Sequence, residues 1–298
     1  MSDNKTAIGI DLGGTRIKGV VVDASGTILE QQYHLIEKDN WKESILQTVD
    51  SLKRKVHGKH LIGISAPGIP DEKNTCIAYM PGRLSGLEGL NWSLLFGQTS
   101  WVANDAIAAM AAESKFGIAK GLKHAVLLTL GTGVGGAILI NGQIYQGAFQ
   151  KAGHMGHISV NHEGEQDVTG MPGSLEDAIG NCTIEKRSMG RYKYTHDLIT
   201  ACKEGDPFAG MIWLNSVKQL AVGIASITNV LSPEAVILGG GITEAGDSLF
   251  KPLEDFLGLY EWRAGGKGTK ILKAAFGDLA GAIGAAGFAL MQQDKQKL

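Results

Sequence analysis

Apolar positions in residues 8–22, IGIDLGGTRIKGVVV, fall into two short runs around a glycine-rich bend. Ile8 and Ile10 alternate with Gly9 and Asp11, and the apolar pattern resumes at Ile17 and continues to Val22. This alternation, broken at Gly13, Gly14 and Thr15, predicts strand, tight turn, strand. The layout recurs in residues 127–140, LLTLGTGVGGAILI, around Gly131, Thr132 and Gly133. In each copy a second polar turn follows, Ser25-Gly26 before Ile28 and Asn141-Gly142 before Ile144. Two glycine hairpins in equivalent places predict two similar α/β halves facing each other across a cleft.

The rest of the pattern fills in those halves. Residues 1–36 read as a three-strand meander. Ile45, Val49 and Leu52 share one face of a helix over 39–55. Residues 60–66 form a buried-type strand that ends at Pro67-Gly68. A short strand over 101–103 runs into Asn104 and Asp105, and a helix with Ile107, Met110 and Ala111 inward follows at once. Residues 147–176 are irregular and rich in Gly and His, a length that marks a functional or disordered loop in a compact domain. A long helix over 208–231 stops at Ser232-Pro233, and the strand 235–238 runs into Gly239, Gly240 and Gly241. Residues 281–291, full of small side chains, suit a helix packed tightly on a neighbour. The expected class is α/β, with a smaller domain over 1–116 completed by the C-terminal helix 281–298, and a larger one over 117–280.

Length and composition agree with this and narrow the setting. A chain of 298 residues that is 44% hydrophobic can build two domains with sizeable cores. A net charge of −2 with scattered signs argues against nucleic acid or an anionic membrane as the main partner. The basic run 53–60 has no interleaved aromatics and reads as a solvated helix end. The 42 glycines sit in discrete turns, not in repeats. Cys76, Cys182 and Cys202 are far apart and form no C-x-x-C, the usage of a reduced cytosolic protein. The first residues lack an apolar signal core, and the apolar run 279–291 is too short to span a bilayer.

Chemistry enters at the turns. Successive amides in a glycine turn form a concavity that holds an anion, and glycine allows the positive φ such turns use. Asp11 would repel a bare phosphate there, so a divalent cation between the two reconciles them and suggests Mg²⁺ with a nucleotide phosphate. The competing reading is an ordinary two-glycine hairpin. Asn104 and Asp105 lie at the carboxyl end of a strand, where ligands collect in open α/β sheets. Their competing reading is a helix cap. The glycines at 239–241 permit close approach by a flat or charged ligand. Gly131, Gly133 and Gly136 match G-x-G-x-x-G, but a strand and hairpin follow instead of the helix a dinucleotide needs. No P-loop pattern is present. His154, His157 and His162, with Asp167 beyond, could bind a metal but define no closed ligand set, which leaves hydrogen bonding to a polar ligand or a plain surface role.

Together these residues resemble the ROK sugar kinases, a bacterial glucokinase-like group, over nearly the whole chain. Asp11-Leu12-Gly13-Gly14-Thr15 is similar to the family's first phosphate motif, residues 130–136 to its second, and residues 237–242, ILGGGI, to its adenosine motif. Asn104-Asp105 matches its catalytic Asn-Asp pair, and Gly156-His157 and Leu175-Glu176 match its Gly-His and Leu-Glu. The resemblance implies two lobes of the actin-like, ribonuclease H-like ATPase type. It implies transfer of the ATP γ-phosphoryl group to a hexose hydroxyl, O6 of a glucose-like hexose or amino sugar, with Asp105 as general base. The implied sugar contacts are Asn104, His157, Glu176 and Gly68, with His154 a further one. The implied nucleotide contacts are Asp11, Gly13, Gly14, Thr15, Lys18, Gly131, Thr132, Gly133, Gly239, Gly240 and Gly241, with Asp11 holding Mg²⁺ through water. A cytoplasmic homodimer with a small sugar as its partner completes the implied picture.

Two departures stand out. His154 occupies the place of the family's sugar-binding Glu. Asp167, Thr169 and Ser174 occupy the places of three Cys that, with the Gly-His histidine, hold zinc, so no structural Zn²⁺ is expected. The alternatives are a non-catalytic sugar sensor and a kinase that uses polyphosphate. The family's repressors carry an N-terminal helix-turn-helix, and the first strand here, beginning at about Ala7, leaves no room for one.

Overall fold

The alternation at the start of the chain becomes the centre of a sheet. β1 (Thr6–Leu12) pairs antiparallel with β2 (Arg16–Val22), and β2 with β3 (Ile28–Leu35), giving the expected meander. β4 (His60–Ala66) runs parallel to β1. A small hairpin of β5 (Ile69–Pro70) and β6 (Ile77–Tyr79) follows, and β7 (Ser100–Asn104) lies parallel to β4. The order is β3-β2-β1-β4-β7. The computed structural model describes residues 6–36, 40–56, 58–80, 82 and 84–296.

Period two sends neighbouring side chains of β1 to opposite faces. Ile8, Ile10 and Leu12 join one cluster with Ile45, Val49 and Leu52 of α1 (Trp41–Lys53) and with Trp92 and Phe96 of α2 (Trp92–Phe96). The expected first residue of α1, Asp39, lies outside the described residues. β7 ends where α3 (Asp105–Lys115) starts, with Ile107, Met110 and Ala111 buried as expected.

A second sheet repeats the first. β8 (Ala125–Leu130) pairs antiparallel with β9 (Val134–Ile140), and β10 (Gln143–Tyr145) is the outer strand. Helices α4 (Leu175–Ile179), α5 (Ile184–Arg187), α6 (Thr195–Lys203) and α7 (Pro207–Leu231) precede β11 (Ala235–Gly239), and α8 (Asp247–Tyr260) precedes β12 (Lys270–Lys273). The order β10-β9-β8-β11-β12, with β11 parallel to both β8 and β12, matches the first sheet strand for strand. This is the symmetry that the repeated glycine hairpins signal. α7 is capped by Asp206, whose carboxylate accepts from Phe208 N at 2.8 Å, and at its other end by Ser232 in the left-handed region with φ 45°. By length and mean hydropathy, 1.2, α7 also passes for a membrane span, but Trp213, Val217, Leu220 and Ile224 form a buried face and α4, α6 and α8 pack on the helix.

The chain then returns to the first sheet as α9 (Ala280–Lys295). Its small residues pack on the face that Ala7, Val20 and Val22 present, together with Ala112 of α3. Contacts gather the chain into two units: Met1–Leu122 with Ile144–Ala152 and Ala275–Leu298, and Lys123–Gln143 with Gly153–Ala274. Against the expected division at 116 and 281, residues 117–122, 144–152 and 275–280 group with the first unit. Glu113 gives a reason for part of that difference. Fully buried, its carboxylate accepts from Ile118 N at 3.0 Å, Ala275 N at 2.7 Å and Phe276 N at 3.3 Å, so both chain crossings are tied to the end of α3.

Candidate active site

In the first unit β1 carries Asp11 to the hairpin turn. Gly13 N donates to Arg16 O at 3.1 Å and closes the turn, while among the described residues no hydrogen bond engages the amides of Gly14 and Thr15. Neither Gly13 nor Gly14 adopts a positive φ, contrary to the expectation from the glycine pair. Glycine serves here by its missing side chain: a Cβ on Gly14 would have nothing within 4 Å. Two successive open amides make an anion-binding concavity.

Asp11 is set beside them. Ser65 Oγ donates to its Oδ1 at 2.8 Å, and Lys18 Nζ lies 3.6 Å from Oδ2. Burial pushes its pKa up, against those two partners. A Cβ on Gly281 would come within 2.5 Å of the Asp11 carboxyl carbon, so only glycine lets α9 start there. A buried carboxylate next to open amides fits Mg²⁺ that arrives with phosphates, since Mg²⁺ takes one or two carboxylates and fills its sphere with phosphate and water. Lys18 donates to Asp278 O at 2.7 Å and to Asp278 Oδ1 at 2.8 Å, and Arg16 holds the same carboxylate at 2.9 Å. No local pattern marks Asp278 as a partner of Lys18, because the two lie 260 residues apart.

At the end of β7, Asn104 is the cap of α3. Its Oδ1 accepts from Ala106 N at 3.0 Å, and its Nδ2 donates to Gly68 O at 3.0 Å. Gly68, at φ 105°, is wedged against Ile77, Tyr79 and Met80, so two expected sugar contacts are locked together. Asp105 sits one residue further on, exposed, with Oδ1 accepting from Ala106 N at 2.8 Å. Capping thus falls chiefly to Asn104, and Asp105 stands in the first turn of α3.

The second unit repeats the turn. Gly131 N donates to Gly133 O at 3.0 Å, and among the described residues no hydrogen bond engages the amides of Thr132 and Gly133. Asn181 N and Cys182 N hold the carbonyls of Gly131 and Thr132 at 2.9 and 2.8 Å. Glu176, at the start of α4, accepts from Val134 N through Oε2 at 2.9 Å, and a Cβ on Gly133 would come within 2.2 Å of that oxygen. Gly240, at φ 88°, lies against the backbone of Leu130, which brings the 239–241 glycines to the base of this turn. Gly241 faces open space.

His154 is half-buried just before the short turn Met155–His157. Gly156 packs so closely that a Cβ would stand 2.0 Å from Val134 O, which fixes that turn on β9. His157 Nδ1 lies 2.8 Å from Asp167 Oδ2. Asp167 Oδ1 accepts from Thr169 N at 2.8 Å, Thr169 Oγ1 at 2.7 Å and Met171 N at 3.0 Å. Burial raises the Asp167 pKa, but these donors and His157 outweigh it and hold the carboxyl well below the usual range. Ser174 Oγ caps α4 by accepting from Asp177 N at 3.2 Å. Carboxylate and hydroxyls committed in this way do not fit a tetrahedral zinc, which takes thiolate and imidazole. Among the described residues no group of three or more His, Cys, Asp or Glu is placed to hold an ion. The chain's own cysteines are elsewhere, Cys182 exposed and Cys76 and Cys202 partly buried.

This set of turns, caps and carboxylates has a family. The ROK family model matches residues 7–293. The chain belongs to the ROK family. A glucokinase of Halalkalibacterium halodurans is 31% identical over 323 residues, spanning 99% of this chain and 97% of the relative. The crystal structure of a ROK hexokinase from Thermus thermophilus superposes with a TM-score of 0.84 at 25% identity, covering 97% of this chain and 99% of that one. A ROK family glucokinase from Streptomyces griseus, solved with glucose and AMPPNP, gives a TM-score of 0.80 at 26% identity, covering 96% and 99%. ROK members also include transcriptional repressors.

Proposed function

We propose that this chain, an ATP-dependent sugar kinase, transfers the γ-phosphoryl group to a hexose hydroxyl, O6 of a glucose-like hexose or a related amino sugar, with Asp105 as the general base. The observation that best supports the reading is the pair of matching turns. Each closes on itself through its first glycine, and among the described residues nothing engages the next two amides, Gly14 and Thr15 in one and Thr132 and Gly133 in the other. In phosphoryl transfer the protein mainly positions the reactants and stabilises charge. The open amides take the β- and γ-phosphate oxygens. Asp11 would hold the Mg²⁺ that accompanies ATP, and the ion would supply further neutralisation of phosphate charge. Asp105 orients the hydroxyl and accepts its proton as the oxygen bonds to the γ-phosphorus and ADP departs. A carboxylate in a helix's first turn is favoured as the anion, so it is ready to accept at neutral pH.

Asn104, His157 and Glu176 take the other sugar hydroxyls, and Gly68 supports them through Asn104. Glu176 keeps Oε1 for the sugar while Oε2 holds Val134 N, so one side chain serves both the sugar and the second phosphate turn. His154 offers one donor and one acceptor where a Glu would accept twice, which alters recognition near the anomeric end. We place the enzyme in the cytoplasm as a homodimer, without nucleic-acid or membrane partners, in line with its near-neutral charge of −2.

The test is ADP formation with MgATP across a panel of hexoses and amino sugars, repeated with polyphosphate as donor. Turnover of at least one sugar with ATP is expected. No turnover with either donor would favour a sugar sensor, and turnover with polyphosphate alone would reassign the donor. A second check is Gly14→Val. Because nothing lies within 4 Å of the added Cβ, thermal stability should be unchanged, while KM for ATP rises at least ~10-fold as the side chain covers the open amides. An unaltered KM would remove that turn from the phosphate site.

A further inference from the structure

We propose that Asp167 is a positioning residue that fixes the tautomer of His157, so that the imidazole turns a lone pair, not a proton, toward a sugar hydroxyl. The functional half of this rests on the sugar-kinase reading; the tautomer itself rests only on the geometry of the second unit.

The Asp167 side chain is completely buried, and its two oxygens are divided between two tasks. Oδ1 takes two backbone amides and one hydroxyl, from Thr169 and Met171. Those bonds belong to a closed turn in which Asp167 N also donates to Met171 O at 2.9 Å and Gly170 N to Asp167 O at 2.9 Å. The carboxylate therefore cannot swing away. Oδ2 is left for His157 Nδ1 at 2.8 Å. Every other group around the carboxylate donates to it, so it is ionised and has no proton to give. The proton in the His157–Asp167 bond must then sit on Nδ1, which leaves Nε2 of the neutral ring as an acceptor. The ring is partly exposed, with 28% of the side chain accessible, and among the described residues Nε2 makes no hydrogen bond.

The consequence is a rule for the substrate. Glu176 Oε1 and His157 Nε2 both accept, so the groups they meet must carry a hydrogen. A free hydroxyl satisfies this, and its methyl ether does not. The ring is oriented as metal-bound histidines are, by a carboxylate that accepts from one ring nitrogen, but here the other nitrogen is assigned to a hydroxyl instead of a metal.

Asp167→Asn tests the assignment. The amide oxygen can keep the Thr169 and Met171 donors, while its NH₂ now faces Nδ1 and forces the proton to Nε2. Ring ¹⁵N shifts of His157, read from long-range ¹H–¹⁵N spectra at a pH where the ring is neutral, should show Nδ1 protonated in the wild type and Nε2 protonated in the variant. KM for the sugar should rise at least ~10-fold while KM for ATP and kcat stay within about threefold. Wild-type protein with the proton on Nε2, a variant that keeps it on Nδ1, or an unchanged sugar KM would each overturn the proposal. The wild-type spectrum decides the tautomer even if the variant fails to fold. Thr169→Val, which removes one Oδ1 donor and leaves Oδ2 alone, should keep both the wild-type tautomer and the wild-type KM. A wild type that phosphorylates no sugar would sink the kinase reading, while the spectrum would still decide this one.

Discussion

Asp105→Asn is expected to lower kcat by about 10³-fold or more and to leave the fold and sugar affinity nearly intact. The loss follows from chemistry. An amide oxygen is a poor acceptor for a proton in the transition state, and a positioned general base contributes roughly 10²–10⁴-fold. The survival of the fold follows from the cap. Asn104 accepts from Ala106 N at 3.0 Å, and an amide oxygen at 105 can keep the second bond that Asp105 makes to the same N–H at 2.8 Å. Position 105 is exposed, so no core contact is lost. Steady-state turnover gives the first quantity, and calorimetric titration of sugar the second. Turnover within tenfold of wild type would remove Asp105 from the role. Loss of sugar binding and activity together would make it a binding residue.

The largest effect on stability is expected from Gly284→Ala. Inside an exposed helix this change stabilises by about 1 kcal/mol. Here the added Cβ would stand 1.7 Å from the Ala108 carbonyl oxygen and 2.3 Å from its carbon, both backbone atoms of α3 that have no rotamer to yield. A different face of α9 lies against the first sheet, where a Cβ on Gly9 or Gly63 would come within 1.9 Å of the Ala282 or Ala285 carbonyl oxygen. Overpacking costs about 1–3 kcal/mol where side chains can adjust, and more where only backbone can move. We expect a loss of more than about 3 kcal/mol, read as a lower urea midpoint or an insoluble product. Gly210→Ala in α7, where nothing lies within 4 Å, is the control and should be neutral or stabilising. Equal stability for Gly284→Ala would mean that α3 and α9 do not touch as described.

These two positions also show what the sequence can and cannot disclose. Periodicity and turn chemistry are local, so the hairpins, the bounds of β4 and the change from β7 to α3 at Asn104 can be read directly. The repeated glycine layout even carries the matching strand order of the two sheets. The run of small residues at 281–291 announces a close packing, but its partners Gly9, Gly63 and Ala108 are far away in sequence and carry no mark of the encounter. The same distance hides Asp278 from Lys18 and Ala275 from Glu113. Of the two reasons for a glycine pair at 13 and 14, positive φ and amides clear of side chains, only the second holds: the φ of Gly14 is not positive and its surroundings are open. The sequence offers Asp167 as a candidate metal ligand, while its bond to His157, ten residues earlier, depends on how the loop folds back.

This chain is expected to move a phosphoryl group from ATP to a sugar alcohol. A ³¹P NMR time course with MgATP and the best sugar from the panel tests it most directly. The expected spectrum shows ADP and a new phosphomonoester growing in equal amounts as the γ-resonance falls. Inorganic phosphate in place of the monoester, or an ATP spectrum that does not change with any sugar, would contradict it.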